Sequence, residues 1–190
     1  MGGTLRIEPT ATAQWHSLVR EAEARLGRRL DEDLESYLVF LLMRFAGRPE
    51  LAARVLALDY LRGVRAGGRR RLDALRDVGD QCLLYSGLFP RRARRRNVRV
   101  RYFVDLGRTA YQELGATLQH GAADIYLRLA EHFVALMDVL LALREGPAAR
   151  EAADALEAVE LALETGSRAA RERLAQWTDA IPVSGGERRH

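Results

Sequence analysis

The sequence predicts an all-α fold, a single-domain helical bundle of about eight helices over residues 1–181, followed by a disordered C-terminal tail at 182–190. Three observations lead there. Apolar residues recur at steps of three and four in nearly every segment, whereas alternation at a period of two occurs once, over Val98, Val100 and Tyr102. The apolar share of 48% is made mainly of Ala and Leu, which favour helix over strand. Gly and Pro cut the chain into pieces of helical length joined by short connections, with no repeat of solenoid period.

Taken in order, Trp15, Leu18, Val19, Ala22 and Leu26 form the apolar face of a first helix that Gly27 can end. A second helix opens on Asp31, Glu32, Asp33 and Glu35, acids that suit the positive end of the helix dipole, and runs to about Ala46. Pro49 fits a first turn, and Leu51, Val55, Leu58 and Leu61 continue a third helix to the Gly63–Gly68 break. The fourth covers about 69–86, stopped by Gly87 and Pro90, which leave Leu88 and Phe89 as an apolar hook that must fold back on the core or reach a partner.

Phe103, Leu106, Ala110, Leu114 and Leu118 define a fifth helix with Asn97 as a candidate cap. The sixth is predicted to be central: Ile125, Leu129, His132, Leu136, Leu140 and Leu143 line one side, and Asp124, Arg128, Glu131 and Asp138 the other. After the Gly146-Pro147 break, a seventh helix from about 148 to 165 packs Ala152, Leu156, Val159 and Leu163, with an acidic outer face of Glu151, Asp154, Glu157, Glu160 and Glu164. A short eighth, about 167–178, carries Leu174 and Trp177.

Charge and cysteine content narrow the function classes. All 30 positive side chains are Arg, a substitution for Lys that, with abundant Ala, reads as the nucleotide bias of a GC-rich bacterial genome. A net charge of +4 is mild for a whole domain, so it matters only where it concentrates. The single Cys82 forms no internal disulfide, and Met1–Thr12 has no apolar stretch of the kind a secretory signal carries, so a cytoplasmic location is expected. The longest apolar runs, Tyr37–Met43 and Phe133–Met137, fall far short of the ~20 residues a membrane helix needs.

Charge does concentrate at Arg91, Arg92, Arg94, Arg95, Arg96, Arg99 and Arg101, seven Arg in eleven residues with no acid among them. Guanidinium groups pair bidentately with phosphates, and Tyr102 and Phe103 follow where bases could stack, so the segment suits RNA or single-stranded nucleic acid. It suits equally an acidic surface of the same chain or of a second copy, which the Glu151–Glu164 face would supply, or plain solvation.

Nothing in the sequence has the spacing of a catalytic or metal motif. His16, His120, His132 and His190 lack His-Glu-x-x-His or zinc spacing, and no Walker loop, dinucleotide fingerprint or nucleophile elbow occurs, Gly67-Gly68 having no strand before it. His132 reads as a histidine at the core edge, Asp124, Glu131 and Asp138 as solvated charges on a polar stripe, and Cys82 as a small buried residue beside Val78 and Tyr85. No catalytic residue, cofactor or metal is therefore expected.

Leu84–Pro90 (LYSGLFP) followed by Tyr102–Tyr111 (YFVDLGRTAY) resembles a group of uncharacterised bacterial conserved proteins of similar length. The resemblance covers under a sixth of the chain and implies only that the hook is a shared feature, with no activity attached. The expected role is a non-enzymatic cytoplasmic interaction or assembly protein acting through its surface as a homodimer, with a protein partner or itself, and no membrane, as the other party. The alternatives are nucleic-acid binding through 91–101, and an all-α enzyme or small-ligand binder using His132, Tyr126 or Tyr111.

Overall fold

A computed structural model describes residues 10–46, 60, 63, 65, 67–90, 98–119, 121–144 and 155–180. The helix expected from Pro49 to Leu61, Arg91, Arg92, Arg94, Arg95 and Arg96, the Gly146-Pro147 break and the 182–190 tail lie outside the described residues. Among the described residues the fold is all-α, with eight helices and no strand: α1 (Ala11–Arg25), α2 (Glu32–Ala46), α3 (Gly68–Leu88), α4 (Val100–Thr117), α5 (Gly121–Glu131), α6 (Phe133–Arg144), α7 (Ala155–Thr165) and α8 (Arg168–Ala180).

Local chemistry fixes several of the ends. Thr10 caps α1 by accepting the Ala13 N–H at 3.3 Å, and Asp31 accepts the Leu34 N–H at 3.1 Å ahead of an acidic first turn in α2. Gly27 and Gly166 take the left-handed conformation (φ 57° and 71°) that ends a helix at low cost only for glycine. The short connection from α1 to α2 is held by Glu23, whose buried carboxylate accepts the Leu30 N–H at 2.7 Å.

The helices pack around one apolar cluster whose largest fully buried members are Tyr111, Phe133, Leu34, Leu38, Leu75, Leu83 and Leu136. The most extensive pairing is α3 on α4, followed by α4 on α5, α3 on α6, α7 on α8, and α1 on both α2 and α6. From Val78 to Gly87 every residue of α3 is buried, so this helix runs through the interior and has no solvent stripe over that length.

Several expectations change. Gly87 does not stop the fourth helix, which runs to Leu88; it is instead a packing glycine, because a Cβ there would overlap the Leu140 side chain. Gly107 has the same use, a Cβ there lying 2.6 Å from the Phe133 ring. Val98, Val100 and Tyr102 do not form an extended piece: α4 starts at Val100 with Arg99 as its cap residue and no side-chain cap bond, since helix packing buries Val100 and Phe103 on one face. The stretch read as one helix from Asp124 to Leu143 is two, separated at His132 alone, with His132 N–H to Arg128 O (2.9 Å) and Leu136 N–H to His132 O (3.0 Å) continuing the i→i−4 pattern.

Two apolar faces are rotated from their predicted positions. Leu18 of α1 and Leu163 of α7 are exposed, Leu163 by 80%, while Glu23, Ala158 and Leu161 turn inward. Both helices are rich in Ala, which packs on either side of a helix at little cost and so fails to mark one face.

Gly87→Ala should lower stability by about 1–3 kcal/mol, through overpacking against Leu140, whereas Gly121→Ala, with open space around its Cβ, should be within about 0.5 kcal/mol of wild type. Urea unfolding of both variants checks the contrast, and combining Gly87→Ala with Leu140→Ala should cost less than the sum of the two single changes.

Candidate functional site

The densest concentration of chemistry-bearing side chains lies where α2, α3, α4 and α5 meet. Tyr37 and Arg44 are seven residues apart on α2 and therefore share a face two turns long. Asp77 and Asp80, three apart on α3, meet that face. The Tyr37 hydroxyl donates to Asp80 Oδ1 at 2.6 Å, and the Tyr111 hydroxyl, from α4, donates to the same oxygen at 2.8 Å. Arg44 closes the group by donating one Nη to Asp80 Oδ2 at 3.0 Å and the other to Asp77 Oδ1 at 2.5 Å. Tyr126 of α5 sets its ring against both Tyr37 and Tyr111, centroids 6.0 Å apart in each case.

Asp80 is buried, and burial pushes its carboxyl up from the ordinary range against the opposing pull of Tyr37, Tyr111 and Arg44. Burial, then the Asp80 charge, holds the Tyr37 and Tyr111 phenols well above their usual value, so both stay protonated and can donate. A carboxylate with every near side occupied by donors of its own chain is a cross-link. Beside it, between Arg44, Phe45, Asp77, Gln81 and Leu84, is a space of about 10 Å³, the size of one water molecule. Gln81 Oε1, on a residue that lines this space, and the Tyr85 hydroxyl are buried without a hydrogen-bond partner among the described residues.

A second buried acid, Asp138, corrects the expectation of a solvated polar stripe: it is 2% exposed. Ser167 donates to its Oδ1 at 2.5 Å, and the backbone N–H groups of Arg168 and Ala169 donate to Oδ2 at 3.1 and 3.3 Å. An acid of α6 thus satisfies the first turn of α8, which explains its burial. Burial raises its carboxyl above the ordinary range, with these donors opposing. Asp124 and Glu131 do lie at the surface, as expected. Glu157, expected on the acidic outer face of the seventh helix, is instead buried against Arg144 at 3.2 Å. Glu35 is also buried, held by His16 and Arg20 of α1 at 3.0 and 2.9 Å.

Of the seven arginines singled out by sequence, Arg99 and Arg101 are described. Both are exposed; Arg101 pairs within its helix with Asp105 at 3.4 Å, and Arg99 lies 3.6 Å from Glu164 of α7. A residue of the basic segment thus meets the acidic helix of its own chain, at a surface where such a pair is worth ~0–1 kcal/mol. Tyr102 is exposed, but Phe103 is buried and stacks on Tyr85 (centroids 5.3 Å, planes 12° apart), so it has no free face for a base. Leu88 and Phe89 pack against the core, Phe89 with its ring 5.6 Å from that of Phe45.

His132 is half-buried near Asp31. Cys82 is fully buried, which pushes its thiol far above the usual range. No group of three or more His, Cys, Asp or Glu is arranged to hold a metal among the described residues. Asp80, Tyr37, Arg44 and Asp77 were not among the residues the sequence singled out; the available signal was an acid inside the weakly charged run from Val78 to Pro90, a run that helical burial on all sides would produce.

No protein-family model matches the chain, and no curated protein or solved structure is detectably similar to it.

Tyr37→Phe and Tyr111→Phe should each destabilise by about 1 kcal/mol, because the remaining hydroxyl still satisfies Asp80 Oδ1, and the double variant should cost more than the sum because that oxygen is then left bare. Asp80→Asn should cost about 2–4 kcal/mol by depriving Arg44 of its buried partner. Chemical denaturation of the four variants reads all of these.

Proposed function

We propose that this chain is a non-enzymatic interaction protein, folded as one domain over 1–181, that self-associates and acts through its surface in the bacterial cytoplasm. The observation that carries this reading is the closure of the buried polar centre at Asp80. Asp80 is saturated by Tyr37, Tyr111 and Arg44, and the space beside it is about 10 Å³, against the ~300–1,000 Å³ of pockets that take organic substrates. The side chains best suited to chemistry are engaged in holding helices together.

What remains outward is consistent with association. Leu163 is 80% exposed on α7 with Glu160 and Glu164 on the same helix, Phe40 is 61% exposed on α2, and Arg99 lies against Glu164. A single exposed Leu is common, but one on an acidic helix that already attracts a basic segment offers an apolar anchor with charged surroundings, the composition of an interface core and rim. Among the described residues no helix is long and apolar enough to cross a membrane. The fully buried single cysteine supports a reducing compartment.

Sedimentation across concentration and salt tests the proposal: the wild-type chain should sediment as a dimer, and Leu163→Glu should weaken the dimer at least about tenfold with helicity unchanged. A wild-type monomer at high concentration and low salt overturns it.

A second reading, binding of RNA or single strands, is favoured by one observation, the joint exposure of Arg99, Arg101 and Tyr102 at the start of α4. Fluorescence anisotropy of a labelled single strand should then give a log–log salt slope of about −5 to −6 for seven phosphate contacts, reduced by Arg-to-Ala changes across 91–101. No binding at low salt removes this reading.

A further inference from the structure

Arginine also concentrates away from the 91–101 segment. From Tyr60 to Leu72 the sequence carries Arg62, Arg65, Arg69, Arg70 and Arg71 with no acid between them. Within this stretch Gly67 precedes α3 and Gly68, in the left-handed conformation (φ 57°), opens it. Arg65 comes before this turn and Arg69 and Arg70 after it, so the three share one corner of the fold.

All three are exposed, and among the described residues none of them makes a hydrogen bond or ion pair. Two neighbouring acids are already engaged. Glu113 accepts from Arg71 at 3.3 Å and from the Tyr60 hydroxyl, and Asp73, itself exposed, pairs with Arg76 at 3.2 Å. The placement also works against the helix. A first turn favours acids, yet α3 opens on consecutive arginines with no acid and no side-chain cap. A cluster of charge that the fold does not use, set where it opposes the helix dipole, calls for a negative partner from outside the chain.

This corner is separate from Arg99 and Arg101. Arg71 meets Glu113 near the end of α4, whereas Tyr85 stacks on Phe103 near its start, so α3 and α4 run antiparallel. The 18 residues of α4 span about 27 Å, which keeps the two basic groups at opposite ends of the pair.

We infer that the start of α3 binds the phosphodiester backbone of a nucleic-acid duplex without reading its sequence. Guanidinium forks pair with phosphate oxygens, and a phosphate facing the first turn is favoured by the helix dipole. The described exposed residues of the corner, Arg65, Gly67, Gly68, Arg69 and Arg70, include no apolar or aromatic side chain. A protein interface has an apolar core, a membrane surface takes inserted apolar groups, and the bases of a single strand stack on aromatic rings. A duplex backbone needs only charge and open approach, and a Cβ at Gly67 or Gly68 meets nothing within 4 Å.

Fluorescence anisotropy of labelled DNA and RNA duplexes of mixed sequence, titrated with the full chain over a range of salt, tests this. The triple variant Arg65→Gln/Arg69→Gln/Arg70→Gln should bind at least about tenfold more weakly at low salt and shrink the log–log salt slope by about 3. Arg69→Gln alone should shrink it by about 1. Arg-to-Ala changes across 91–101 should leave that increment in place, so this assignment stands or falls separately from the reading built on that segment. Without nucleic acid the triple variant should melt no lower than the wild type, because its arginines have no partner in the chain to lose. No wild-type binding to either duplex at low salt, a slope that the triple variant leaves unchanged, or a lower melting temperature for that variant overturns the assignment.

Discussion

Asp80 is an acid only 5% exposed, on a helix whose second half is buried on every side. An isolated carboxylate there would be strongly destabilising. The fold meets the constraint with donors from two other helices: Tyr37 and Arg44 from α2, Tyr111 from α4. Each donor has to arrive within hydrogen-bond distance, so the axial registers of α2 and α4 against α3 are set together. The aromatic side chains extend the effect to α5, whose Tyr126 packs on both phenol rings, and to α6, whose Phe133 ring sits 6.1 Å from that of Tyr111. Gly79 belongs to the same arrangement, since the Tyr111 ring occupies the place where its Cβ would be.

The other buried acids repeat this logic at the periphery. Glu35 is held by His16 and Arg20 and ties α2 to α1; Glu23 ties the α1–α2 connection; Asp138 ties α6 to the first turn of α8. At the surface, Arg128 of α5 reaches Asp31 and Asp33 at the start of α2. A helix of Ala and Leu can slide or rotate against its neighbour with little change in apolar burial. Directional bonds to buried carboxylates remove that freedom, because a misregistered helix leaves a charge unpaired. Stability comes from the apolar cluster, and uniqueness of packing from these acids.

That division bears on function. Side chains that resemble an active site in composition, Asp, Tyr and Arg in close contact, are here consumed by the fold, and the space next to them holds no more than a water-sized group. The exterior, by contrast, presents Arg99 and Arg101 at the start of α4 and the exposed Leu163 on α7.

By itself the sequence determined that the chain is helical, because periodicity and Ala/Leu content act locally, and it located several helix ends, because signals such as Gly27 and Asp31 act within one turn. It also marked Leu129, Leu136, Leu140, Leu114 and Phe103 as core. It misplaced Leu18, Leu163, Glu157 and Asp138, where Ala on several sides of a helix leaves the apolar face undefined, and it passed over Asp80 altogether. Which acids are buried is a property of pairs: Asp80 and Tyr111 are 31 residues apart, Asp80 and Tyr37 are 43, and Asp138 and Ser167 are 29. Only the tertiary structure decides such pairings, since a carboxylate's place inside or outside depends on donors that the chain brings to it from other helices.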